Sequence, residues 1–175
     1  MKSNIAKLML ATLLVASALS ALPARAGDDG SFAPGGTAID HHTEKFTNLK
    51  IVMDLKANSP ASVGFGAMVA SRIMEHPGAR LVVVIEGPGI SLFAKKNYLE
   101  HQSIIDSWVG LVQKGVHVEY CGNSVHAVGL MPSDMAGLST KNPAVVNPGA
   151  YPSIAHYESQ GFNPVVIILP EKPAK

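Results

Sequence analysis

The chain has 175 residues, with 14 Lys and Arg against 13 Asp and Glu, a formal net charge of +1 and a single cysteine. A balance so close to neutral leaves no electrostatic footprint for nucleic acid or for an anionic membrane surface. One cysteine excludes an internal disulfide and a cysteine-based zinc site.

The first 26 residues read as a cleavable signal peptide. Lys2 and Lys7 give a positive start, Leu8 to Leu22 are apolar apart from Thr12, Ser17 and Ser20, and Pro23 precedes Ala24-Arg25-Ala26, with small residues where a signal peptidase reads. The competing reading, an uncleaved anchor, is opposed by an apolar run short of the ~20 residues that span a bilayer. Cleavage after Ala26 removes Lys2, Lys7 and Arg25, so that 11 of the 14 basic residues remain beside 13 acidic ones, a net charge of about −2. The expected location is periplasmic or secreted, with no membrane span after cleavage. Residues 27–38, rich in Gly and Asp, read as a flexible arm, and residues 39–175 as one domain.

From Leu49 onward, short β-branched runs alternate with helical patterns, the signature of β-α-β units and a mainly parallel sheet. The first strand is expected over Leu49 to Asp54. Ser59-Pro60 then supplies an N-cap and first-turn pair, and Val63, Ala67, Ala70 and Met74 form one helical face. Gly66 is suited to close packing on the sheet. Arg80 to Glu86 is apolar throughout its centre, as expected of a strand covered on both faces, and Gly87-Pro88-Gly89 makes a turn. A long helix is expected from Leu92 to Lys114 with Ile104, Trp108, Leu111 and Val112 on one face, stopped by Gly115.

Val116 to Tyr120 alternates as a third strand with Cys121 at its carboxyl end, and Gly122-Asn123-Ser124 opens a short helical segment. A fourth strand over Ala144 to Val146, a helix over Tyr151 to Gln160 and a fifth strand over Val165 to Leu169 complete the pattern. The fold class is α/β, a three-layer α/β/α arrangement around a mainly parallel five-stranded sheet. The runs at Leu81 and Val165 should both be covered on both faces, with burial greatest at Val83, Val84, Val166 and Ile167.

In open parallel sheets the ligand crevice lies beyond the carboxyl ends of the strands. There the candidate residues are Asn58 after the first strand, Gly87, Pro88 and Gly89 after the second, and Cys121 with Gly122, Asn123 and Ser124 after the third. Cys121 is the strong nucleophile type among them. At the junction of a strand and a helix its sulfur would sit where free N–H groups favour negative charge, and should be accessible or nearly so. The alternative is a small buried hydrophobe, which free cysteines often are. His126 lies five residues beyond and could reach the same place, or be a surface residue, while His41 and His42 read as solvated. The histidines show no metal spacing, and no Walker loop, G-x-G-x-x-G after a strand or G-x-S-x-G elbow is present. No metal and no cofactor are expected.

The succession VVVIEGPGISLF, KGVHVEYCGNSVHAVGLMPSDM and AVVNPGAYPSIAHYESQGFNPVVIILP resembles the DsrE/DsrF-like family over about Leu49 to Pro170. Its most specific parts are Gly115-Val116, Cys121-Gly122-Asn123 with Gly129 eight residues on, and Gln160-Gly161-Phe162 running into an apolar strand. The resemblance implies a flavodoxin-like fold, homo-oligomers that are trimers or hexamers, and the handling of sulfane sulfur. In it, Cys121 would carry a persulfide and exchange it with a donor or acceptor protein or a small sulfur compound. Gly122, Asn123 and Ser124 would supply hydrogen-bond donors. Ser124 stands where YchN-like members have a second cysteine, and export would set this chain apart from cytoplasmic relay partners. A sulfur carrier or sulfurtransferase is one expectation. A non-catalytic ligand-binding or assembly domain with a structural cysteine is the other.

Overall fold

The computed structural model describes residues 38–169. The expected signal peptide lies outside them, as does all of the expected arm but Ala38. Residues 38–44 belong to a separate unit, in which a turn is closed by the Glu44 N–H on the His41 carbonyl at 2.9 Å. The unit from Lys45 onward contains the sheet and its helices.

Five parallel strands form one sheet in the order β4-β3-β2-β1-β5. They are β1 (Lys50–Lys56), β2 (Arg80–Glu86), β3 (His117–Cys121), β4 (Val145–Asn147) and β5 (Asn163–Ile168). The helices are α1 (Pro60–Met74), α2 (Gln102–Gln113), α3 (Gly122–Ala127) and α4 (Ala150–Ser159). From β1 to β4 the chain steps across the sheet in one direction, so right-handed crossovers place α1, α2 and α3 on one face. The step back from β4 to β5 reverses direction and carries α4 across the other face. The expected three-layer α/β fold is therefore present, with α4 as the whole of its third layer among the described residues.

Local chemistry explains most of the elements. Ser59 caps α1 through a reciprocal pair with Ser62, and Pro60 occupies the first turn. Val63, Ala67 and Ala70 of the expected face are buried, and a Cβ at Gly66 would come within 2.6 Å of Leu55 Cδ2, so this glycine is what lets α1 lie close on β1. The larger core layer joins that face to Met53, Leu55, Val83, Ile85, Phe93, Ile105, Trp108 and Tyr120.

Two expectations need correction. The long helix from Leu92 does not form. Residues Pro88–Phe93 and Lys95–Asn97 are 3-10 turns, and α2 starts only at Gln102. Tertiary pairing overrides the helical pattern here, because Ala94 is extended and bridges Met135, and Phe93 O accepts the Ala136 N–H at 2.8 Å. In consequence Ile105 rather than Ile104 joins Trp108, Leu111 and Val112 in the core. The second correction concerns β5, whose apolar run reads as central but lies at the sheet edge. Val166 is 55% and Ile168 58% exposed, and Ile167 is only partly buried, whereas Val83 and Val84 are fully buried as expected. A single ten-residue helix, about 10 Å across, cannot cover a face five strands wide at roughly 4.8 Å each.

Candidate functional site

The carboxyl ends of β1, β2, β3 and β4 meet at one end of the sheet, and the loops beyond them are tied together through backbone groups. Ala57 N–H donates to Glu86 O at 2.7 Å and Gly89 N–H to Ala57 O at 2.6 Å. Gly87 takes a φ of +96°, and a Cβ there would lie 2.8 Å from Ala57 O and 3.3 Å from Asn58 Oδ1, so only glycine permits this approach. Ser124 reaches across from α3 and accepts the Gly87 N–H on its hydroxyl at 3.0 Å. On the other side, a Cβ at Gly122 would stand 2.5 Å from Asn147 O, and Asn123 Nδ2 lies beside Gly149.

Asn58, Gly87, Gly89 and Ser124 are thus brought together as one rim, with Pro88 exposed upon it. Gly122 and Asn123 close the rim towards β4. His126 is exposed on α3.

Cys121 departs from the expected accessibility. It is free and only 2% exposed, and belongs to the smaller apolar cluster of Val52, Val82, Val84, Ala150 and Phe162, to which α4 contributes. The physical reason lies in strand alternation: in β3, Val118 and Tyr120 face the large core, so His117, Glu119 and Cys121 face α4. The side chain of Cys121 receives no capping hydrogen bond from α3, which is only six residues long. The Ser124 hydroxyl is occupied by Gly87. Of the donors expected around the sulfur, the Ser124 hydroxyl is thus engaged with the rim.

Two polar groups on this face escaped the sequence reading. The first surrounds Glu119, which is 6% exposed. Its Oε1 accepts the Tyr157 hydroxyl at 2.7 Å and pairs with His117 Nε2 at 3.1 Å, and its Oε2 accepts Asn147 Nδ2 at 2.9 Å and the Ser153 hydroxyl. Burial alone would raise its pKa, but bonds from His117, Ser153, Asn147 and Tyr157 prevail and hold the carboxyl at about 2. Burial and the neighbouring carboxylate push the Tyr157 hydroxyl upward.

The second group joins the ends of β1 and β2. Lys56 Nζ lies 2.8 Å from Asp54 Oδ2, also pairs with Glu86, and sits 5.2 Å from the centre of the exposed Tyr151 ring. Burial would lower the Lys56 pKa, but bonds to Asp54 and Glu86 reverse this and raise it. Asp54 is raised because its burial outweighs Lys56. Alternation of Asp54 and Lys56 with Met53 and Leu55 was the available signal, as was Glu119 between two apolar neighbours in β3. Among the described residues, no three His, Cys, Asp or Glu side chains gather as a metal ion would require. Nor is any described helix long and apolar enough to cross a membrane.

Comparison with known proteins agrees with this fold. The DsrE/DsrF-like family model matches residues 49–166. The solved structure of a protein of unknown function, MTH1491 from Methanobacterium thermoautotrophicum, superposes with a TM-score of 0.54 at 16% identity, over 67% of this chain and 98% of that one. A conserved protein of unknown function from Bacteroides thetaiotaomicron, BT1422, gives a TM-score of 0.48 at 17% identity, over 69% and 96%. No curated protein matches the sequence. The family match spans β1 through most of β5, and so takes in both the rim and Cys121: the chain belongs to the DsrE/DsrF-like family.

Proposed function

We propose that the chain is an exported sulfur carrier or sulfurtransferase of DsrE type, and that Cys121 is the residue that holds the sulfur. The observation that carries this reading is positional. The single cysteine stands at the carboxyl end of a central parallel strand, beside a rim of loops held at close quarters by glycine, in a family associated with sulfur metabolism. In the transfer, the Cys121 thiolate attacks the outer sulfur of a persulfide or polysulfide donor. A new S–S bond forms on Cys121, the donor S–S bond breaks, and the donor leaves as a thiolate with the bonding electron pair and takes up a proton. No external oxidant or reductant enters, and an acceptor thiol repeats the step in reverse.

A second reading is favoured by one specific observation. Cys121 is 2% exposed among apolar side chains, and buried structural cysteines are inert. In that case the domain binds or assembles without covalent chemistry. Mass spectrometry after exposure to polysulfide separates the two, since only a carrier gains sulfur on Cys121.

Export and self-assembly complete the proposal. The lysine, apolar and Ala-x-Ala succession of residues 1–26 supports the first, and amino-terminal sequencing from the native host should begin at or near Gly27. Exposed Val165, Val166 and Ile168 on the uncharged edge strand β5 support the second. Sedimentation should show a trimer or hexamer at micromolar concentration, and a strict monomer would overturn that part.

A further inference from the structure

The helix lying over Cys121 is attached differently from the two longer helices, α1 and α2. In α1, Ser62, Val63, Gly66, Ala67 and Ala70 are buried, and in α2 Ile105, Trp108, Leu111 and Val112. In α4 only Ala150 and Ser153 are buried, with Ile154 and Tyr157 packed partly against the small cluster. Little apolar area therefore holds α4 in place. Its middle and last turns are instead hooked by the Ser153 and Tyr157 hydroxyls onto the Glu119 carboxylate, which Asn147 and His117 support from the strands.

Glu119 and Cys121 are two residues apart on β3 and share a face. The helix that answers the carboxylate is thus also the one whose Ala150 packs in the cluster with the sulfur. Glycines bracket it: Gly149 stands before Ala150, and Gly161, at φ +82°, comes after Gln160.

We propose that α4 is a hinged cover over Cys121 and that the Glu119 cluster is the latch that sets how often it opens. The proposal rests on the sulfur-carrier reading for its purpose, since a carrier cysteine must be reached by its donor. It does not rest on that reading for its mechanics. A carboxylate released from two hydroxyls is rehydrated at once, whereas apolar surface exposed to water has no such replacement. A polar latch over a small apolar contact therefore opens below the threshold of global unfolding, as weakly packed elements do. Glu119, Ser153 and Tyr157 are positioning residues in this scheme, and the sulfur chemistry belongs to Cys121 alone.

The test is the alkylation rate of Cys121 by iodoacetamide in the native protein, set against the global unfolding rate followed by Trp108 fluorescence. The wild type should label more slowly than a free thiol but faster than it unfolds globally. Tyr157→Phe and Ser153→Ala each remove one hydroxyl from the carboxylate, and each should raise the labelling rate itself roughly tenfold or more while keeping it above that variant's own global unfolding rate. Ser153→Ala is the milder change and keeps the test open should Tyr157→Phe fold poorly. A labelling rate equal to the global unfolding rate in all three proteins would overturn the cover, as would labelling in both variants no faster than in the wild type. Iodoacetamide requires no sulfane chemistry. Raised labelling in the variants without sulfur uptake would retain the cover and dismiss the carrier, and sulfur uptake without any change in the labelling rate would do the reverse.

Discussion

Gly122→Ala places one methyl group where β3 and β4 converge beside Cys121. The new Cβ would stand 2.5 Å from the Asn147 carbonyl oxygen, so roughly 1 Å of separation must be found before ordinary contact is restored. A backbone carbonyl cannot swing aside as a side chain would. Asn147 is also committed, since its Nδ2 donates to Glu119 Oε2 at 2.9 Å and its Oδ1 accepts the Gly149 N–H at 3.0 Å. Overpacking of this kind costs about 1–3 kcal/mol. Stretching a hydrogen bond to a buried carboxylate adds part of a further ~1.5–3 kcal/mol, while the better helix propensity of alanine returns at most about 1 kcal/mol. The expected net loss is about 2 kcal/mol. Gly64→Ala, in the interior of α1 with nothing within 4 Å of its Cβ, is the control and should gain about 0.5–1 kcal/mol. Urea denaturation read from Trp108, which is fully buried, reports both. Equal or improved stability in Gly122→Ala would refute the claimed closeness of the two loops.

Three other outcomes are expected. The Glu119 carboxyl titrates at about 2 in the folded chain against an ordinary 4.5, so its contribution is complete above 4.5 and lost as the pH falls towards 2; up to roughly 3 kcal/mol should disappear on acidification. His117 and Tyr157 are the titratable groups bonded to it, and urea midpoints for Glu119→Gln should show a shallower slope over that range, an unchanged slope counting against the network. Leu55→Ala, at a fully buried position, should lose about 2–5 kcal/mol, whereas Val166→Thr on the open edge should change the stability of the single chain by less than about 0.5 kcal/mol; thermal melts giving comparable losses would place β5 inside a covered sheet after all. Amino-terminal sequencing of material from the native host that finds Met1 intact on soluble protein would remove the export reading.

Much of the fold was legible because its signals are local. Ser59-Pro60 starts α1, Gly115 ends the α2 region, and the apolar centre of β2 announces a strand covered on both faces, where Val83 and Val84 indeed lie. β5 carries the same kind of run but a different fate. Its position depends on strand order, which the spacing of apolar residues does not encode, and its outer side chains are left open for want of a second helix on that face. The segment after Leu92 has helical periodicity that the pairing of Ala94 with Met135 overrides. The rim residues could be chosen because carboxyl ends of parallel strands attract function whatever the sequence between them. The burial of Cys121 could not, because a residue at a strand end is covered or open according to where a distant helix crosses. Glu119 was visible as a charge in an alternating strand, but its four partners come from β3, β4 and α4, and only the folded chain assembles them.

Whether Cys121 carries sulfane sulfur is decided by intact-protein and peptide mass spectrometry of the mature chain after incubation with polysulfide. The mass of one or more added sulfur atoms is expected on the peptide containing Cys121, released by a thiol reductant, with no such addition in Cys121→Ser. An unmodified Cys121 peptide under these conditions, together with a loss of about 1–3 kcal/mol in Cys121→Ser as a buried unpaired hydroxyl would give, would contradict it and leave the cysteine a structural residue.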